Sequence, residues 1–115
     1  MAVPSEENLL VQQLDEQVVI TLPEEIDITN SSRLREALLA VISRRPAVVV
    51  ADMTATTFCD SSGMTAIVTA YRQAGAVGAD LRLVITHPAP LRVFELSGID
   101  TVISMYPDLP AALSG

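Results

Sequence analysis

The stretch VVVADMTATTFCDSSGMTAIVTAY, residues 48–71, decides the fold of this chain. It starts with an apolar, mostly β-branched run at residues 48–51, which predicts a buried strand. It ends with apolar residues that recur every three or four positions from Met64 to Tyr71, the pattern of a helix with one buried side. Between the two lies a polar loop that closes on Asp60, two serines and a glycine. The stretch therefore predicts a strand, a loop and a helix, with hydroxyl groups clustered where the helix begins.

Strand and helix patterns alternate along the rest of the chain. Their order, β-β-α-β-α-β-α-(β)-α, predicts an α/β fold with a mixed sheet of four to five strands and helices packed against it. The predicted segments are a hairpin over Leu9–Gln13 and Val18–Leu22, a helix over about Ser32–Ser43, the central strand 47–52, a long helix over about Ser62–Ala76, a strand over Asp80–Ile85, a short helix from Pro90, a strand-like run over Ile99–Met105 and a last helix over Leu109–Leu113.

Length, composition and charge narrow the classes of partner. The 115 residues predict one domain over residues 1–115, with residues 1–7 as a short flexible arm, and a hydrophobic share of one half argues against disorder. Fourteen acidic residues outnumber seven basic ones, all arginines, for a net charge of −7. So acidic a chain does not suit nucleic acid or an anionic membrane surface. We expect instead a protein partner with a basic face.

Several kinds of site are not expected. Cys59 is the single cysteine, so no internal disulfide can form, and a small buried side chain is its simplest role. No cluster of histidines, cysteines and carboxylates predicts a metal, and with 3% aromatic residues we expect neither a stacking platform nor another cofactor site. The N-terminus lacks the apolar core of a secretory signal, and the run 47–51 is far shorter than the roughly 20 residues that cross a bilayer. We expect a soluble, cytoplasmic protein.

The serines at the start of the long helix, Ser61 and Ser62, form the candidate site. Turns at the carboxyl ends of strands are where α/β folds usually place ligands, and a helix N-terminus offers unpaired N–H groups with about half a positive charge. We expect a phosphate on Ser61 to lie beside those groups. We expect Gly63, which has no side chain, to leave room for a partner's backbone or nucleotide. From spacing alone, a helix cap next to a loop hydroxyl explains the serines equally well, with Asp60 as a capping acid.

Three motifs stand out in the sequence: DSSG at residues 60–63 behind the central strand, EID at residues 25–27 followed by Thr29 and Leu34, and FELSGI at residues 94–99. With these motifs the chain resembles the STAS domains, specifically the small stand-alone anti-sigma factor antagonists, over about residues 8–113. Glu24 departs from the family pattern, which usually has glycine at that position.

The resemblance implies a regulatory protein without catalysis of its own. In that family the serine after the motif aspartate is phosphorylated by a partner that is both anti-sigma factor and serine kinase. By resemblance, the unphosphorylated chain binds this kinase and frees a sigma factor, phosphorylation of Ser61 releases it, and a serine phosphatase resets it. Ser62 is then the helix-capping hydroxyl. The residues that the resemblance assigns to partner binding are Glu25, Asp27, Thr29, Asp60, Ser62, Gly63 and Met64.

Two other functions are compatible with the sequence. An enzyme would use Ser61 or Ser62 as a nucleophile and needs a base, for which His87 is the single histidine, and the chain has no Gly-x-Ser-x-Gly elbow. A STAS-like scaffold, or a nucleotide-sensing module of a signalling complex, would use the same fold without phosphorylation.

Overall fold

The chain alternates strands and helices around a central parallel unit, and the computed structural model describes residues 2–4 and 9–115. A 3₁₀ turn at Ile99–Thr101 lies between the third helix and the last strand. The elements, in chain order, are β1 (Ala2–Pro4), β2 (Leu10–Leu14), β3 (Gln17–Thr21), β4 (Glu25–Ile26), α1 (Ser31–Ile42), β5 (Val48–Met53), β6 (Phe58–Cys59), α2 (Ser61–Ala76), β7 (Asp80–Ile85), α3 (Pro88–Ser97), β8 (Ser104–Tyr106) and α4 (Leu109–Ser114).

The main sheet has the strand order β1-β2-β3-β5-β7-β8. The pairs β1–β2 and β2–β3 are antiparallel, and the β2–β3 hairpin turns at Asp15, whose φ of 56° is a conformation that aspartate tolerates in tight turns. The pairs β3–β5, β5–β7 and β7–β8 are parallel. The predicted mixed α/β sheet is therefore confirmed, with one edge strand more than expected.

The additional strand lies within the predicted N-terminal arm. The arm over residues 1–7 is described only at Ala2–Pro4, where the backbone pairs with β2 along the sheet edge. A three-residue segment ending in proline is too short to predict as a strand, although an edge is where a sheet accepts proline. The other residues of the predicted arm lie outside the described residues.

Each face of the sheet has its own core. Alternate residues of β5 point to opposite faces, so Val49, Ala51 and Met53 enter the larger core, which contains residues of α1, α2 and α3. Val48 and Val50 enter a smaller core that is covered by α4. This two-sided burial explains why the central strand is apolar throughout.

Several element boundaries depart from the prediction; α3, for example, begins at Pro88 rather than Pro90. The helices α1 and α2 each begin one residue earlier than expected, at Ser31 and Ser61. The strand-like run over Ile99–Met105 forms a strand only at its end, because the chain leaves Gly98 in a tight turn. The N–H groups of Thr101 and Val102 donate back to the carbonyls of Gly98 and Ile99, at 3.1 and 2.9 Å, so that segment is helical rather than extended.

Candidate functional site

A small two-stranded sheet joins the two motif loops at one edge of the molecule. The strands β4 and β6 pair in parallel, with Glu25 opposite Phe58 and Ile26 opposite Cys59. The N–H of Asp60 extends this pairing by donating to the carbonyl of Ile26 at 3.0 Å. Adjacent parallel strands are about 4.8 Å apart, so the residues that follow β4 and β6 come side by side. Sequence patterns did not predict this sheet, because two-residue strands carry no periodic signal.

The inner face of this small sheet packs against the first turn of α2. Ile26 is fully buried and Cys59 is nearly so. A Cβ added to Gly63 would stand 2.5 Å from Cγ2 of Ile26 and 2.7 Å from Sγ of Cys59, closer than real Cβ contacts come. Glycine at position 63 therefore lets α2 pack directly on both loops. The prediction that Gly63 leaves room for a partner is wrong, because its own chain fills that space.

Asp60 caps α2. Its carboxylate accepts hydrogen bonds from the N–H groups of Ser62 and Gly63, at 2.9 and 3.1 Å, and from the Ser62 hydroxyl at 2.5 Å. These bonds stabilise the charged carboxylate and hold the pKa of Asp60 below its usual value of 3.8. The Ser62 hydroxyl contributes most to this shift, partial desolvation opposes it, and the amides of Gly63, Ser62 and Ile28 add to it. The prediction that Ser62 is the capping hydroxyl is wrong, because Asp60 is the cap and the Ser62 hydroxyl donates a hydrogen bond to its carboxylate.

Ser61 is the first residue of α2, and its side chain is exposed. Within the described part of the chain, its hydroxyl has no hydrogen-bond partner, whereas its carbonyl accepts a bond from the Thr65 hydroxyl at 2.9 Å. The expected cradle of free helix N–H groups is not available, because Asp60 already occupies the amides of Ser62 and Gly63. A phosphate on Ser61 would still benefit from the positive helix end, but it would project into solvent.

The first motif loop is held by its own side chains. The Asp27 carboxylate accepts from the N–H and hydroxyl of Thr29, at 2.9 and 2.5 Å. Asn30 bridges the loop, since its carbonyl oxygen accepts from the N–H of Asp27 at 2.9 Å and its NH₂ group donates to the carbonyl of Glu25 at 2.7 Å. Of the residues predicted for partner binding in this loop, Glu25 and Thr29 are exposed and Asp27 is half-buried.

The remaining candidate residues take structural places. Met64 is half-buried against the larger core, so little of it can meet a partner. Burial, with the Asp60 charge beside it, raises the pKa of the Cys59 thiol to about 12. His87 precedes α3, and in the described residues no hydrogen bond links it to Ser61 or Ser62. The serine–base pair that a hydrolytic enzyme requires is thus not assembled in this structure.

The sequence patterns did not predict two exposed apolar side chains on the motif loops. Ile28 follows Asp27 in the first loop, and Phe58 lies in β6 on the second. No sequence signal could have revealed Phe58, because a two-residue strand has no period; in the structure it is exposed while its neighbour Cys59 is buried. Nothing in the local pattern distinguishes Ile28 from a buried loop residue.

Residues 2–4 and 9–115 provide neither a metal-binding cluster nor a membrane-spanning helix. These residues contain no group of three or more histidine, cysteine or carboxylate side chains suited to a metal ion. Among the same residues, none of the helices has the length and apolar character needed to span a membrane.

The chain belongs to the STAS domain family, whose model matches residues 8–112. The match spans β2 to β8, α1 to α3 and both motif loops, so the resemblance drawn from the three sequence motifs is confirmed. The comparison with curated protein sequences finds no match, and the finer comparison rests on solved structures.

Solved structures of anti-sigma factor antagonists resemble this chain over nearly its whole length. One from Mycobacterium paratuberculosis is 28% identical, covers 97% of both chains and has a TM-score of 0.86. A STAS domain protein from Planctomyces limnophilus is 21% identical over 92% of this chain and 94% of its own, with a TM-score of 0.81. The phosphorylated form of the Bacillus cell fate determinant SpoIIAA is 23% identical over 90% and 95%, with a TM-score of 0.68. At these identities the latter two support the fold alone.

Proposed function

We propose that this chain is an anti-sigma factor antagonist, which binds an anti-sigma factor with serine kinase activity and is released when that kinase phosphorylates Ser61. The observation that carries the proposal is the exposed Ser61 hydroxyl, without a hydrogen-bond partner in the described residues, at a helix start held by Asp60 and Gly63. A kinase needs a hydroxyl that is accessible and fixed in position. The likeness to a mycobacterial anti-sigma factor antagonist over 97% of both chains supports the same function.

The charges of the two loops suit such a partner. Glu24 and Glu25 are exposed, and Asp27 and Asp60 are half-buried, in the same two loops as Ser61. This acidic edge complements the basic side chains with which a kinase holds its nucleotide phosphates. In the bound state, Ser61 would face the transferable phosphate of ATP.

The same geometry explains how phosphorylation would release the chain. After transfer, the phosphoserine carries about −1.5 to −2 charges and faces the phosphates of the remaining ADP. Because Asp60 occupies the nearest helix amides, no new intramolecular bonds from Ser62 or Gly63 draw the phosphate inward. The repulsion therefore acts on the complex and leaves the fold of the chain as it is. A serine phosphatase would restore the binding form.

The test uses the purified kinase partner with ATP. We expect the wild-type chain to gain one phosphate by intact mass, Ser62→Ala to gain it as well, and Ser61→Ala to gain none. We further expect Ser61→Asp to bind the kinase about tenfold or more weakly than wild type, since tenfold corresponds to about 1.4 kcal/mol and a single added charge can supply it. Phosphate uptake by Ser61→Ala would move the site elsewhere. Equal binding by Ser61→Asp would favour a scaffold without phospho-switching.

A further inference from the structure

Two large apolar side chains stand out of the motif loops into solvent. Ile28 is 77% exposed and Phe58 is 48% exposed, whereas their neighbours Ile26 and Cys59 are buried. Singly exposed apolar residues are common on protein surfaces, but here one belongs to each of the two loops that flank Ser61. Such a pair at a candidate site favours binding of a partner, because burying each apolar side chain in an interface lowers the free energy of the complex.

The structure places both side chains beside the helix start. In β6 the side chain of Phe58 is exposed while that of its neighbour Cys59 is buried, and Asp60, the next residue, caps α2 directly before Ser61. The N–H of Asp60 donates to the carbonyl of Ile26, two residues before Ile28, at 3.0 Å. Asp60 thus ties the segment that carries Ile28 to the turn that carries Ser61.

The surroundings of this pair are mainly acidic, although the guanidinium of the exposed Arg33 donates to the carbonyl of Thr29, next to Ile28, at 3.3 Å. Glu24 and Glu25 are exposed next to it, and Glu25 lies directly opposite Phe58 in the β4–β6 register. An apolar centre within a charged rim is the usual anatomy of a protein–protein interface, in which a few large side chains supply most of the binding energy. Neither nucleic acid nor an anionic membrane suits a rim of this sign.

We propose that Ile28 and Phe58 are the apolar anchors by which the unphosphorylated chain docks on its kinase partner, in an apolar recess bordered by basic side chains. This inference rests on the proposed function and deepens it by naming the residues that hold the complex together. Docking through these anchors would also strengthen the effect of Ser61 phosphorylation on binding. When both anchors are seated, the Ser61 hydroxyl loses contact with water, and a phosphate on it would have to be desolvated, which is costly for a charged group without a compensating partner.

The experiment is a calorimetric titration of the purified kinase with each variant, with ADP present so that no phosphate is transferred. Ile28→Ala and Phe58→Ala are compared with Leu96→Ala, a matched control because Leu96 is 76% exposed but lies in α3. We expect each anchor variant to raise Kd by about 10- to 100-fold, the range of an interface hot spot, and the control to change it less than about twofold. Thermal unfolding of each variant checks that the fold is unchanged.

The outcomes separate this inference from the proposed function. If wild type binds and is released by phosphorylation while both anchor variants bind as tightly as wild type, the anchors are wrong and the switch stands. If Leu96→Ala loses as much affinity as Ile28→Ala, the localised anchor pair is also wrong. If wild type neither binds the kinase nor is phosphorylated by it, the proposed function itself fails.

Discussion

Two helices of this protein begin with similar sequences, but the first serine of one is buried and that of the other is exposed. The helix α1 starts in the sequence TNSSR, residues 29–33, and α2 starts in CDSSG, residues 59–63. In each case an Asn or Asp at the cap is followed by two serines. Yet Ser31 is buried with 7% of its surface exposed, whereas Ser61 is exposed, and Arg33 is exposed where the equivalent Gly63 is buried.

The cap residues explain part of the difference. The Asn30 side chain bonds within its own loop, to Asp27 and Glu25, and makes no hydrogen bond to the helix it precedes. The Asp60 side chain bonds to the first amides of α2. The Asn30 side chain therefore stabilises the loop before α1, whereas the Asp60 side chain stabilises the first turn of α2. The comparison teaches that a cap followed by hydroxyls does not by itself identify a modification site, because burial decides which serine a partner can reach.

The most severe test of this comparison is phosphorylation, where the expected effect is all or none. Incubated with the kinase and ATP, a Ser31→Ala, Ser32→Ala double variant should take up one phosphate as wild type does, because it keeps Ser61. Ser31 is buried, and Ser32, although exposed, is the second serine after its cap and not the first. Peptide mapping should place that phosphate on Ser61. Phosphate recovered on residues 29–33 of the wild-type chain would contradict the distinction between the two helix starts.

The next largest effect is expected at the positions just before the two caps. A pKa near 12 instead of 9.0 leaves Cys59 with roughly one-thousandth of the ordinary thiolate, so alkylation by iodoacetamide at pH 8 should be slower by about that factor or more. The matched control is Thr29→Cys in a Cys59→Ala background, whose thiol occupies the exposed equivalent position. Mass spectrometry over time gives both rates. Equal rates would mean that Cys59 is accessible.

The fifth position of each helix start, Arg33 in α1 and Gly63 in α2, should differ in its effect on stability. Gly63→Ala should lower the free energy of unfolding by about 1–3 kcal/mol, because the new methyl group collides with the buried Ile26 and Cys59. Gly75→Ala, near the other end of α2, meets nothing within 4 Å and should gain about 0.5–1 kcal/mol from helix propensity. Urea unfolding measures both. A gain at both positions would show that the first turn of α2 is loosely packed.

The smallest effect concerns the charge of the caps. Because the pKa of Asp60 is lowered in the folded protein, its contribution to stability is fully present above the unfolded value near 3.8 and is lost as pH falls through the lower folded value. Asp60→Asn should therefore be less stable than wild type at pH 7, with a deficit that shrinks below pH 3.8.

The control for that prediction comes from the other helix start. Asn30→Ala should also lower the urea midpoint, since it removes two loop hydrogen bonds, but an amide does not titrate. Its deficit should thus change little between pH 7 and pH 3. A deficit for Asp60→Asn that is equally constant would show that the Asp60 charge contributes nothing.

Much of the fold could be predicted from the sequence, because long apolar patterns are local. The β-branched run before Asp52 predicted the central strand, and the spacing of apolar residues from Met64 to Tyr71 predicted α2. The small sheet β4–β6 and edge strand β1 could not be predicted, since two or three residues carry no period and pair only through contacts with distant segments.

The sequence by itself determined the α/β class, the order of the main elements and the motifs that mark the STAS family. It also placed the serine cluster at the start of α2. Only the tertiary structure decided that Asp60 rather than Ser62 is the cap, that Gly63 is packed rather than open, and that Ser61 and Ile28 face solvent. The physical reason is that periodicity is a property of neighbouring residues, whereas burial depends on contacts such as that between Ile26 and Gly63, which only folding brings together.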